Sequence, residues 1–353
     1  LVGGPSVTGI NGHWGQDYFT EAMDAGLYRY ADAIAVHPYE RTAPEICGMD
    51  ENILWFKEQY QEKGIENPDV WNTEVGYTTA DDTVSTEEMK GALNCRTVLL
   101  YQAMDLGERN CLYNFEKKGT ILTDREDQFG SVGPASYELN KTGKPFVPTI
   151  AFAMVTGMNY IMAQSQADGI FDAQDKNVRI NRYTSDKFNK KIVTVYTVNE
   201  SETVSLRLGT DVITMYDALG NAKEIHGNNG VFTVLANNRP IYLVGDITDT
   251  ELIENKVFLQ FETGQIKAAP NDLLCIPVEN FTQNNYTLHL NLPDNVELIE
   301  NNGFNDGKAE VILRNNGMVG DVARITLNVM EEERVVACTE IDVVTEASVI
   351  PEL

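Results

Sequence analysis

Val70-Trp71-Asn72-Thr73-Glu74-Val75-Gly76-Tyr77 is a short apolar run that ends in a carboxylate and breaks at a glycine. Its β-branched and aromatic residues read as a buried strand with Glu74 at its C-terminal end. Upstream, Ala33-Ile34-Ala35-Val36-His37 is a second such run, and Ile53–Lys63, stopped by Gly64, reads as the helix between them. Downstream, Ser85 and Glu88 form a capping box ahead of apolar positions Met89, Leu93, Val98, Leu99 and Ala103, with Gly107 placed to end that helix. Cys111–Phe115 is the next strand, Leu1–Gly4 an earlier one, and helical spacing fills Phe19–Tyr30 and Thr149–Thr156. Strand starts near 1, 33, 70 and 111 are 32, 37 and 41 residues apart. That rhythm predicts strand–helix units with parallel strands and right-handed crossovers.

Beyond about Tyr160 the pattern becomes all-β. Val178–Tyr183, Ile192–Val198, Val204–Leu208, Val212–Tyr216, Val231–Leu235 and Ile241–Val244 alternate, with turn chemistry at Asn199-Glu200 and Leu219-Gly220-Asn221. An acidic connector, Asp246–Glu254, leads to further runs at Val257–Phe261, Tyr286–Leu292, Ala309–Leu313, Ala323–Met330 and Val335–Val344. The 353 residues hold 27 Lys+Arg against 53 Asp+Glu, a net charge of −26 that argues against nucleic acid or an anionic membrane as partner. No run of about 18 apolar residues suggests a membrane span. Five scattered cysteines and four scattered histidines predict neither a disulfide framework nor a metal site. Acidity together with β-modules points to an extracellular or cell-surface location.

A carboxylate at the C-terminal end of a parallel barrel strand stands where such folds place their chemistry. Strict alternation puts Val70, Asn72 and Glu74 on one face and Trp71 and Thr73 on the other, with Trp71 turned to the helices. In the preceding strand Ala33, Ala35, His37 and Tyr39 share one face, and Ile34, Val36 and Pro38 the other. His37 and Tyr39 are thereby expected to reach the strand ends on the side of Glu74.

Gly3-Gly4-Pro5, Asp32–Tyr39, Val70–Tyr77 and Leu112–Gly119 resemble, in order, strands five to eight of the (β/α)8 barrel of clan A glycoside hydrolases. Arg125–Val132 and Lys144-Pro145 are similar to the segment after strand eight in family 39 and related β-glycosidases. The resemblance covers residues 1–246. It implies the C-terminal half of a barrel over 1–164 and a β-sandwich packing on it over 165–246; the remaining 247–353 read as a second, Ig-like sandwich. It further implies a carbohydrate substrate, no cofactor, Glu74 as the retaining nucleophile, and His37 and Tyr39 lining the sugar site. Trp14, expected in the loop after strand five, is a candidate sugar platform. Phe115 stands where clan members usually carry a tryptophan.

The chemistry implied is double displacement, with a second carboxylic acid about 5–5.5 Å from the nucleophile. In the clan that acid follows an Asn in strand four. Asn199-Glu200 is the only such pair in this sequence and falls in a β-turn, so it is rejected. Glu40 and Glu116 are the only local substitutes, and neither is at the matching strand. Strands one to four and the acid/base are therefore expected in a missing N-terminal half, of about 120–170 residues at roughly 30–40 residues per unit, which would leave this chain alone inactive. The competing readings are a non-catalytic carbohydrate-binding or cell-surface protein with a remnant barrel, and an adhesin-like structural module.

Overall fold

A computed structural model describes residues 7–8, 13–65, 69–79, 84, 86–104, 109–113, 132–133, 147–171, 177–254, 257–259, 265–281 and 284–347. By contacts the chain divides into two compact units: residues 1–200 with 216–222 and 238–243, and residues 201–215, 223–237 and 244–353.

The first unit opens with strands β1 (Val7–Thr8), β2 (Ala33–His37), β3 (Asp69–Val75) and β4 (Asn110–Leu112), which form one sheet in sequence order. All three neighbouring pairs are parallel. Helices α1 (His13–Asp24), α2 (Met49–Gln61) and α3 (Glu87–Ala103) supply the crossovers. One sheet face and these helices share a core of Phe19, Met23, Ile34, Val36, Met49, Phe56, Tyr60, Val70, Leu100 and Tyr101. The strand–helix rhythm expected from the spacing is present, with shifted boundaries. The first described strand is Val7–Thr8; the expected Leu1–Gly4 lies outside the described residues, as do Ser85 and Gly107. Thr86 rather than Ser85 caps α3, its hydroxyl accepting from Met89 N–H at 3.0 Å.

After a two-residue antiparallel pair, β5 (Val132–Gly133) with β6 (Val147–Pro148), α4 (Ile150–Met162) packs on α3. Gly91 permits that approach, because a Cβ there would meet Ala151 Cα and Met154 Sδ, each at 2.8 Å. Strands β7 (Ser165–Phe171), β8 (Val178–Ser185) and β9 (Lys190–Thr197) then form an antiparallel meander. Tyr183 of β8 donates to the Leu99 carbonyl of α3 at 2.8 Å, tying the meander to the helix.

The second unit contains a three-stranded sheet, ordered Val231–Ala236, Glu202–Arg207, Glu251–Ile253. It also contains two four-stranded sheets. One is ordered Val257–Leu259, Leu273–Asn280, Lys308–Asn315, Val296–Asn301; the other Gln265–Ala268, Arg334–Thr345, Val322–Glu331, Tyr286–Asn291. Ile276, Val311 and Leu313 of the first and Ile325, Leu327, Val329, Ile341 and Val343 of the second share one core, so the pair is a sandwich. It is not wholly antiparallel. The chain crosses from one sheet to the other after Leu259, and Gln265–Ala268 enters the second sheet parallel to the last strand. Among the described residues no helix is long and apolar enough to cross a membrane.

Candidate active site

β2 stops at His37 because Pro38 follows. The Tyr39 N–H donates to the His37 carbonyl at 2.9 Å, a three-residue turn that proline's fixed φ favours. The turn sends Tyr39 toward the C-terminal end of β3.

The faces of β3 are the reverse of the alternation expected from its sequence. Ile34 pairs with Val70 and Val36 with Asn72, and Ile34, Val36 and Val70 belong to the helix-side core. Trp71 is paired with Ala35 and so lies on the face away from the helices. There its indole N–H donates to Asp69 Oδ2 at 2.7 Å, and the Arg109 guanidinium stacks 4.3 Å from its ring centroid. Strict alternation from Val70 would then send Glu74 toward the helices. A bulge prevents this. The pairing of β3 with β4 slips between Asn72 and Val75, and one extra residue shifts the alternation by one. Thr73 and Glu74 consequently both meet the end of β2.

The contacts are specific. Tyr39 donates its hydroxyl to Glu74 Oε1 at 2.5 Å. His37 Nε2 is 3.0 Å from Thr73 Oγ1, and His37 Nδ1 is 3.9 Å from Glu74 Oε2. The side chain of Glu74 is 37% exposed and that of His37 19%, so the carboxylate is held yet open to solvent. Burial, followed by the hydrogen bond to Glu74, pushes the Tyr39 phenol well above the ordinary tyrosine range. Tyr39 therefore remains a donor throughout the usual pH range.

Helix α3 anchors both segments that carry these groups. Arg96 reaches Glu45, six residues beyond Tyr39, through Nε to Oε1 at 3.1 Å and a second bond from Nη2 to Oε2. Both side chains are 1% exposed. The Arg96 guanidinium also lies 5.3 Å from the Tyr196 ring centroid. Tyr77, three residues beyond Glu74, places its hydroxyl 3.2 Å from Thr97 Oγ1.

Of the remaining candidates, Trp14 stands in the first turn of α1, not in a loop. Phe115 and Glu116 lie outside the described residues. Glu40 follows Tyr39, and burial holds its carboxyl above the usual range. Glu200 is in the turn between β9 and Glu202–Arg207, where its carbonyl accepts from Asn177 Nδ2 at 3.0 Å. Two residues at the site had no assigned role from sequence: Thr73, expected on the opposite face, and Tyr113. The Tyr113 ring is edge-on to Tyr39 with centroids 6.4 Å apart. Tyr113 falls inside the strand expected at Cys111–Phe115, whereas the described strand ends at Leu112 and leaves Tyr113 just beyond it. Among the described residues no three His, Cys, Asp or Glu side chains group as metal ligands would.

A family 39 glycoside hydrolase from the gut symbiont Bacteroides cellulosilyticus aligns with a TM-score of 0.55 at 18% identity, over 67% of this chain and 48% of its own. A glucosidase from Croceicoccus marinus aligns with a TM-score of 0.45 at 10% identity, over 69% and 59%. An endo-beta-1,4-mannanase from Thermotoga petrophila aligns with a TM-score of 0.21 at 9% identity, over 90% and 48%. No family model and no curated protein matches the sequence. The chain thus carries a glycoside-hydrolase-like fold with additional β-structure, and spans about half the length of the family 39 protein.

Proposed function

We propose that this chain is the nucleophile-bearing part of a retaining β-glycoside hydrolase acting on a polysaccharide or its oligosaccharides, with residues 1–164 contributing strands five to eight of its barrel. The observation that carries the reading is the Tyr39–Glu74 hydrogen bond at the C-terminal end of adjacent parallel strands. The phenol occupies Glu74 Oε1, so attack on the anomeric carbon falls to Oε2. In the first step the bond from Oε2 to the anomeric carbon forms as the bond to the leaving oxygen breaks. A carboxylic acid from the half of the barrel outside this chain protonates that oxygen. In the second step the same group, now a base, takes a proton from water, which displaces Glu74 as a carboxylate. Through both steps Tyr39 keeps its proton and donates to Oε1. His37 and Thr73 complete the polar wall beside the carboxylate, and Trp14 and Phe115 are proposed sugar contacts.

An activated substrate tests the nucleophile without the acid. Dinitrophenyl 2-deoxy-2-fluoro-β-glycosides carry a leaving group that departs unprotonated, and the fluorine slows the second step, so the glycosyl-enzyme accumulates. A panel of gluco, xylo, galacto and manno forms, read by intact mass and peptide mapping, is expected to give one adduct on Glu74 that is lost in Glu74→Gln. No adduct from any member, or an adduct on another carboxylate, contradicts the assignment.

A further inference from the structure

Tyr113 belongs to none of the roles given above, yet it contacts both the end of β3 and Tyr39. Its backbone N–H donates to the Val75 carbonyl at 2.7 Å, one residue beyond Glu74. Its ring meets that of Tyr39 edge-on, with an interplanar angle of 82°. The residue is 36% exposed, so the contact is made at the rim and not in the core. Tyr39 itself sits past the Pro38 turn, beyond the end of β2 at His37. An edge-to-face ring pair supplies directional restraint at such a position.

We propose that Tyr113 is a positioning residue that holds the Tyr39 ring so that its hydroxyl stays on Glu74. It rests on the reading of Glu74 as nucleophile only for its effect on rate; the geometric part stands separately. The role is assigned to the ring, whose edge-on contact with Tyr39 carries it, so Tyr113→Phe should keep the function and Tyr113→Leu should lose it.

Two readouts on the full chain test this. The first is the rate of Glu74 labelling by the dinitrophenyl fluoroglycosides. Tyr113→Leu is expected to slow the labelling step about tenfold, the upper end of what such a ring pair contributes, with little change in the concentration giving half-maximal rate. Tyr113→Phe should restore the rate to within about twofold. In a Tyr39→Phe background Tyr113→Leu should add less than about twofold, because the two residues act through one hydrogen bond. An unchanged rate in Tyr113→Leu, or an effect that multiplies fully with Tyr39→Phe, overturns the proposal. The second readout is the downfield proton resonance of the short Tyr39 hydroxyl hydrogen bond, absent in Tyr39→Phe. It should persist in Tyr113→Phe and vanish in Tyr113→Leu; its persistence in Tyr113→Leu overturns the proposal whatever the labelling shows. If Glu74 is never labelled while this resonance responds as expected, the positioning role stands and the catalytic reading falls.

Discussion

In the first unit the side chains of Arg96 and Glu45 are each 1% exposed and Lys90 is fully buried, paired with Glu87 at 2.8 Å. Among its described residues the second unit buries charge sparingly. Its sandwich core is filled by residues such as Val311, Ile325 and Leu327. The most enclosed carboxylate among its described residues, Glu340, accepts from the His226 N–H at 3.0 Å and faces Arg324 at 3.8 Å on the rim. A sandwich needs only complementary apolar faces. The helix-covered sheet must also hold two strand-end segments at fixed positions, and a bidentate guanidinium–carboxylate pair does this with a directionality that apolar packing lacks. Charge is buried where placement matters.

Breaking the buried pair should produce the largest effect. Arg96→Met leaves Glu45 enclosed without its partner, which costs about 3–5 kcal/mol, and should lower the denaturation midpoint and the labelling of Glu74 together. A loss of stability with labelling unchanged would detach the pair from the site. Leu327→Ala in the sandwich should cost about 2–5 kcal/mol through lost transfer and an unfilled cavity, with Glu74 labelling intact. If it abolishes labelling, the contrast between the units fails. Asp342→Asn should be smaller, about 1–2 kcal/mol at pH 7. Burial works to raise the Asp342 carboxyl, but hydrogen bonds from Lys223 and Arg324 overcome it and hold the group below the ordinary carboxylate range. Its contribution is therefore present above the unfolded value near pH 4 and is lost as pH falls through the lower folded value. The gap between wild-type and Asp342→Asn melting curves should begin to narrow below about pH 4 and close once pH is below the folded value; a gap that does not narrow on acidification would remove this pair as the cause.

The parallel strands at 33–37 and 69–75, helix α3 and most of the β runs were readable because buried strands and amphipathic helices impose periodicity on apolar residues. Alternation in the sequence puts Tyr39 on the same side as Glu74, but only because two departures from it in β3 cancel. Val70 faces the helices and not the opposite side, and the bulge turns Glu74 back. A bulge is a property of two strands in register, and a single strand's alternation carries no trace of it. The strand Leu273–Asn280 is hard to read in the sequence because Pro277 interrupts it. Among the described residues its ladder with Val257–Leu259 covers Val278–Asn280, and on the other side Pro277 is paired with Glu310. Gln265–Ala268 was missed because four residues of an edge strand hold too little pattern to read.

The most direct test of the account is chemical rescue. Glu74→Ala, given a dinitrophenyl β-glycoside of the sugar that labels the wild type, should be inert until azide is added. Azide should then enter the space left by the carboxylate and yield the α-glycosyl azide, seen by the anomeric coupling in the proton spectrum. A β-glycosyl azide would make Glu74 the acid/base, and unimpaired turnover by Glu74→Ala without azide would contradict the central claim outright.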